Sequence, residues 1–226
     1  MSSGLFVSAI GTDCGKTHVS AALLRQLVLG GQTPVALKPL MSGYDPRNLG
    51  GSDAGRLLSA CGHPITPTTV GDICWKRFEE PSAPNVAARR AGVALDYKQM
   101  LQFLKERIST AGPTLVEGAG GVMSPLTDNS TNLDLMSDLQ FPVLLVAANY
   151  LGAVSHTLTA LAVLEQRGLT VPAVVISQPW PHAGPPAIFA EEIARWTSIP
   201  VVTAPFSRTA KDDRTWVSGL AARLFG

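Results

Sequence analysis

The chain has 226 residues, 46% hydrophobic and 15% charged, and its 18 Lys+Arg against 17 Asp+Glu leave a formal net charge of +1. That length suits a single α/β domain over 1–226 with a sizeable core, and the balanced charge argues against a nucleic-acid binder, which carries a basic stripe. Mean hydropathy is +0.19, yet no uninterrupted apolar run approaches the roughly 18 residues of a membrane span. Leu5-Phe6-Val7 follows no charged segment and no long apolar one, unlike a secretory signal. Cys14, Cys61 and Cys74 form an odd set without a Cys-x-x-Cys spacing, which excludes a disulfide framework or Cys-rich zinc site and points to a reducing cytoplasm.

In chain order, short apolar runs predict strands over Leu5–Ile10, Pro34–Lys38, Thr114–Glu117, Val143–Ala147, Ala173–Ser177 and Pro200–Thr203. They are largely apolar along their whole length, as expected of parallel strands covered on both faces. Helical patterns separate them, over Lys16–Leu29, Asp53–Ala60, Asp96–Ser109, Leu133–Leu139, Val154–Arg167, Ala187–Trp196 and Arg214–Leu224. Asp53 and Asp96 read as start signals, and Gly30 and Gly168 as stops. Gly62–Pro84 reads as irregular and Pro179–Pro186 as a loop. The alternation implies a doubly wound, mostly parallel sheet with helices on both faces. In such a sheet ligands collect beyond the carboxyl ends of the strands. Gly11–Thr17, Lys38–Gly43 and Gly118–Gly121, each polar or glycine-rich, should therefore meet on one edge.

Gly15-Lys16-Thr17 closes a strand–loop–helix segment with the chemistry of a phosphate-binding P-loop. Backbone N–H groups and a helix start wrap an anion, the lysine reaches the outer phosphates of ATP, and the threonine hydroxyl faces Mg²⁺. The first glycine of the pattern is displaced: position 10 holds Ile10, and the glycine is Gly11. Thr17, Asp53 and Glu117 are hard oxygen ligands suited to Mg²⁺. Cys14 lies inside the loop, where a positive field would lower a thiol pKa, and reads as a small filler there and not as a catalyst.

These residues resemble the dethiobiotin synthetases. Phe6–Thr17 follows the family's F-V-T-G-T-D-T-x-V-G-K-T in length, with Ala9 and Gly11 in place of its glycine and aspartate. Lys38-Pro39-Leu40-Met41-Ser42-Gly43 is similar to K-P-V-x-[ST]-G, Ser52-Asp53-Ala54 to S-D-A, and Glu80-Pro81-Ser82-Ala83-Pro84 to E-P-x-[SA]-P. Glu117-Gly118-Ala119-Gly120-Gly121 repeats E-G-A-G-G, and Leu151–Thr157 resembles L-G-x-[IVL]-[NS]-H-[AT]. The matches keep family order from Phe6 to about Gly168; the last quarter shares only the strand–helix rhythm.

The resemblance implies a P-loop NTPase fold and an ATP- and Mg²⁺-dependent ring closure. One amine of 7,8-diaminopelargonate captures CO₂ as a carbamate, the carbamate attacks the γ-phosphate, and the second amine closes the ureido ring of dethiobiotin as phosphate leaves. Catalysis falls to Lys16, Lys38, Thr12 and Ser42. The nucleotide contacts are Asp13, Cys14, Gly15, Lys16, Thr17, His18, Glu117, Gly118 and Gly120, with Ser177, Gln178 and Pro205 toward the base. Thr12, Lys38, Ser42, Ala83, Pro84, Gly121 and Val122 fall to the substrate. Leu151, Gly152, Ala153, Val154 and Ser155 would reach it from the partner of a homodimer. The family's asparagine that reads adenine is here Ser177, so base choice should be relaxed; its substrate-side tyrosine is here Phe189, which lacks the hydroxyl for that contact. His156 reads as a packing residue. Two alternatives remain: a partitioning-type ATPase switch, whose signature lysine is Gly11 here, and an amidoligase of the cobyrinate a,c-diamide type, which needs a glutaminase domain.

Overall fold

The computed structural model describes residues 4–181, 183–207 and 213–225. Its strands are β1 (Gly4–Ala9), β2 (Val35–Leu37), β3 (Leu40–Met41), β4 (Lys76–Arg77), β5 (Thr114–Glu117), β6 (Val143–Ala148), β7 (Val174–Ser177) and β8 (Val201–Ala204). Its helices are α1 (Lys16–Leu29), α2 (Asp53–Ala60), α3 (Pro67–Ile73), α4 (Pro84–Arg90), α5 (Tyr97–Arg107), α6 (Asn132–Leu139), α7 (Ala153–Gln166), α8 (Pro186–Ala194) and α9 (Arg214–Phe225). The main sheet has the order β2-β5-β1-β6-β7-β8, all parallel.

Alternation along each strand divides the core in two. Phe6, Leu37, Val116, Leu145, Val174 and Ile176 face α5–α8, where Met100, Leu104, Leu135, Leu164 and Ile193 are fully buried. Leu5, Val7, Leu115, Leu144, Val146 and Val175 face α1, α2 and α9, against Leu23, Leu24, Leu57, Val217 and Leu220. Each such side chain contributes about 1.5–3 kcal/mol by leaving water. Among the described residues no helix is long and apolar enough to cross a membrane.

The six predicted strands and seven predicted helices are present, with ends shifted by a residue or two. Asp96 stands one residue outside its helix as the cap: its carboxylate accepts from the amides of Lys98 and Gln99. Asp53 opens α2 behind Ser52, whose hydroxyl accepts from Gly55 N–H. Gly30 caps α1, and Gly168 follows α7 at φ +70°. The stretch 62–84 departs from expectation. It holds α3, capped reciprocally by Thr66 and Thr69, and β4, which pairs in parallel with β3, and it ends at the start of α4. These elements are too short to show a period, but Thr66-Pro67, a capping hydroxyl before a first-turn proline, marks the start of α3. The loop over 179–186 is irregular as expected, apart from His182, which lies outside the described residues.

Candidate active site

The chain leaves β1 at Ala9 and turns into α1 through Gly15, whose φ of +86° lies in the left-handed region. A β-carbon at Gly15 would collide with Ser177 Oγ, so the loop rests directly on the end of β7. Gly15→Ala should therefore both strain the backbone and lift the loop. The left-handed conformation alone costs roughly 1–2 kcal/mol, which corresponds to about a tenfold loss of nucleotide affinity or more. Titration calorimetry with ATP checks this; unchanged affinity would show a loop with room to spare.

At the head of β2, Lys38 is 3% exposed. Its Nζ donates to Glu117 Oε1 at 2.7 Å and to the Gly118 carbonyl at 3.1 Å, and lies 2.9 Å from Asp53 Oδ2. All three ammonium donors are thus engaged. Burial opposes the charge on Lys38, but Glu117 and then Asp53 outweigh it and hold the pKa above the ordinary lysine value. The same contact works in reverse on Asp53: burial pushes its pKa up, and Lys38 and Thr17 bring it below the usual carboxylate value. Lys16 donates to the Gly11 carbonyl at 3.1 Å. Its pKa is lowered, by burial first and by Lys38 second.

Thr17 Oγ1 lies 2.9 Å from Asp53 Oδ1 and 2.8 Å from Glu117 Oε1. One hydroxyl proton can serve only one of those oxygens at a time. Glu117 itself is fully buried, and its Oε2 has no hydrogen-bond partner. Three hard oxygens brought together, one on a carboxylate with an orphaned atom, fit Mg²⁺, which keeps much of its water and needs few protein ligands. Among the described residues no three His, Cys, Asp or Glu side chains converge as a metal group, so this set depends on the hydroxyl.

A cleft of about 1020 Å³ opens above these groups. Thr12, Asp13, Gly15, Lys16, Thr17, His18, Lys38, Ser42, Asp53, Ala83, Pro84, Gly120 and Gln178 line it. Glu117 lies beneath it, reached through Lys38 and Thr17. Gly118 stands against Asn132 closer than a β-carbon would permit, and Gly121 lies tight against the backbone of Ala9–Gly11. Val122 is buried, its N–H donating to the Ala9 carbonyl. Cys14 is buried under the loop, as a filler would be; burial raises its thiol pKa and outweighs the lowering pull of Lys16.

Ser177 is buried beneath Gly15, while Pro205 is exposed beyond β8. Gln178 has both ends of its amide engaged, donating to the Ala183 carbonyl and accepting from Phe206 N–H. Phe189 is half-buried against the core on α8 and does not line the cleft. His156 pairs with the Tyr150 hydroxyl at 2.8 Å. Leu151, Gly152, Ala153, Val154 and Ser155 form the start of α7 and do not line the cleft of their own chain; Leu151 is fully exposed.

Two supporting residues escaped the sequence reading. Asn132, fully buried at the start of α6, donates to the carbonyls of Ala119 and Gly121 and holds the glycine loop. Ser124 Oγ accepts from Gly121 N–H at 2.7 Å. Thr131-Asn132 carries a helix-start signal, but nothing in it announces the loop it supports.

The family model described as "AAA domain" (AAA_26) matches residues 3–205. ATP-dependent dethiobiotin synthetase BioD of Phenylobacterium zucineum is 44% identical over 223 residues, covering 97% of this chain and 94% of that protein. The chain belongs to the AAA_26 family and to the dethiobiotin synthetase family. Within the dethiobiotin synthetases, BioD of Caulobacter vibrioides is 49% identical over 176 residues, 77% of this chain and 79% of its own. BioD of Anaeromyxobacter is 37% identical over 98% of both chains. Among solved structures, the signal recognition particle receptor FtsY from Elizabethkingia anophelis reaches a TM-score of 0.51 at 16% identity, covering 99% of this chain and 65% of that one. That likeness is one of fold.

Proposed function

We propose that this chain is an ATP-dependent dethiobiotin synthetase, closing the ureido ring from 7,8-diaminopelargonate, CO₂ and ATP. The observation that carries the reading is Lys38. It is a buried cation set beside Asp53 and Glu117, in the same cleft as the Lys16 loop. A switch protein needs only the nucleotide loop; a second lysine facing it suits an anionic acceptor that attacks phosphorus.

The reaction balances as follows. An amine adds to CO₂ and loses a proton to give a carbamate, whose oxygen then takes the γ-phosphoryl group as ADP leaves. The second amine attacks the carbamoyl carbon, and phosphate departs with the ring closed. The chain supplies position and charge. Lys16 and the amides of the loop bind the phosphates. Lys38 neutralises the carbamate, and Thr12 and Ser42 orient it. Thr17, Asp53 and Glu117 would hold Mg²⁺, whose chemistry is to screen charge on the transferred phosphoryl group. ATP turnover that requires both the diamine and bicarbonate, with dethiobiotin as product, tests the proposal. Turnover stimulated by DNA or by glutamine would overturn it in favour of the partitioning switch or the amidoligase.

The base end supports relaxed choice among triphosphates. Strong selectivity needs side-chain donors and acceptors that a wrong ligand leaves unpaired. Ser177 is covered by the loop, and the Gln178 amide is already used at both ends. The kcat/KM values for ATP, CTP and GTP should lie well within 10⁴ of one another. A preference for ATP above roughly 10⁴-fold, the level of dedicated hydrogen bonding, would refute this.

We also propose a homodimer in which the start of α7 from one chain serves the cleft of the other. The diamine's carboxylate lies far from its amines, and the first-turn amides of a helix suit an anion. In the folded monomer that helix start stands outside the cleft.

A further inference from the structure

One cation in the cleft stands apart from Lys16 and Lys38. Arg56 lies in α2, three residues after Asp53, and its side chain lines the cleft together with Thr17, His18 and Asp53. It is exposed, and among the described residues its guanidinium has no hydrogen-bond or ion-pair partner. The other arginines whose side chains are described, Arg223 apart, each meet a carboxylate or an aromatic ring. The backbone under Arg56 is fixed. Ser52 Oγ accepts from Gly55 N–H at 3.1 Å, and Gly55 lies against the Leu49 carbonyl closer than a β-carbon would permit. A firmly seated turn thus carries a guanidinium that the rest of the fold does not use.

Charge gives a reason for it. Among the described residues, the cations that line the cleft are Lys16, Lys38 and Arg56, and Asp13, Asp53 and the underlying Glu117 match them in number. Lys38 is already held by Asp53 and Glu117. Without Arg56 the fixed charges would be net negative around a site that must take a polyanion. Arg56 also stands within electrostatic reach of the first turn of α1. His18 has its pKa lowered by burial first, with Arg25 and then Arg56 adding to it against the pull of Asp213. A helix side chain leans toward the helix N-terminus, which in α2 is the Asp53 end, joined to Thr17. There a guanidinium repels a charged amine, but offers a phosphate two parallel donors.

We propose that Arg56 binds the phosphate chain of the nucleotide from α2, as a nucleotide-binding residue outside the phosphate loop. This rests on the nucleotide reading of the cleft and not on the identity of the amine substrate.

The test is titration calorimetry of the full chain with ATP and Mg²⁺ at several salt concentrations, alongside kcat, KM for the diamine and the melting temperature of the nucleotide-free protein. Arg56→Ala should weaken ATP binding roughly tenfold, the effect of one lost charge-assisted hydrogen bond, and leave the melting temperature and KM for the diamine unmoved. Arg56→Lys, which keeps the charge and loses the fork, should fall between wild type and Arg56→Ala. Arg56→Glu should bind more weakly than Arg56→Ala. The affinity of the wild-type chain should also fall more steeply with added salt than that of Arg56→Ala, because the variant has one ionic contact fewer to screen. Unchanged ATP affinity in Arg56→Ala and Arg56→Glu would overturn the inference. A fall in kcat alone would then assign Arg56 to Asp53 as a partner one turn away on the helix, and a raised KM for the diamine alone would assign it to the substrate. A lowered melting temperature with wild-type affinity would leave it a structural role only. Failure of the wild-type chain to bind ATP would defeat the nucleotide reading and this inference together, whereas wild-type binding that both variants keep would defeat this inference alone.

Discussion

Lys38→Ala should lower kcat by roughly 10²–10³, the effect of removing one preorganised electrostatic donor, while ATP affinity stays within a few-fold of wild type. Lys16→Ala should instead lose nucleotide binding, and turnover with it. The split follows from position. Lys16 belongs to the loop proposed to wrap the phosphates, and among the described residues it donates to the Gly11 carbonyl. Lys38 directly follows β2, which lies two places from β1 in the sheet. Removing Lys38 also leaves Glu117, with no exposed surface, and Asp53 without the cation that pairs with them directly. Breaking a buried pair from one side costs about 3–5 kcal/mol, so the melting temperature should fall as well, and saturating Mg²⁺ should recover part of it. Calorimetry with ATP, single-turnover rates and thermal melts together read both effects. Equal, large losses of nucleotide affinity in the two variants would show the assignment to be wrong.

Mixing two inactive variants should restore about a quarter of wild-type activity. Lys16→Ala disables the cleft of its own chain, and a second lesion at the start of α7 would disable the cleft of the partner. Random exchange makes about half the dimers mixed, and each mixed dimer keeps one intact site by the symmetry of an isologous pair. Gly152→Asp is the obvious second lesion from sequence, because aspartate favours helix starts. The backbone argues otherwise: Gly152 has φ +94°, a conformation that strains any side chain. Ser155→Asp is the better choice. Ser155 is exposed in the first turn of α7, where a carboxylate suits the helix and should repel the substrate's own carboxylate. No recovery after verified subunit exchange, or a monomer at working concentration, would sink the shared site.

Much of the fold was legible because strands buried on both faces leave unbroken apolar runs, and because Gly15-Lys16-Thr17 can follow a strand in few other ways. The convergence of Lys38, Asp53 and Glu117 was legible too, once all were placed at strand ends or helix starts on one edge. Three things were not. The elements between Gly62 and Pro84 are shorter than any period that would reveal them. The burial of Cys14 and Ser177 depends on how far the phosphate loop settles onto β7, which is a matter of packing. Asn132 acts on Ala119 and Gly121, more than ten positions away in the chain, and local pattern does not carry such pairings.

The closed arrangement around Lys38 has a consequence for how charge enters the cleft. Its ammonium group is not a free cation waiting for an anion; two carboxylates and a carbonyl already occupy it. To serve a carbamate, it must be relieved of at least one carboxylate, and that carboxylate then needs another cation. A bare triphosphate brings none. A triphosphate that arrives with a divalent ion brings the missing positive charge with it. On the reading proposed above, the chain would import the charge that its chemistry requires and couple the readiness of its second lysine to the form in which the nucleotide is delivered.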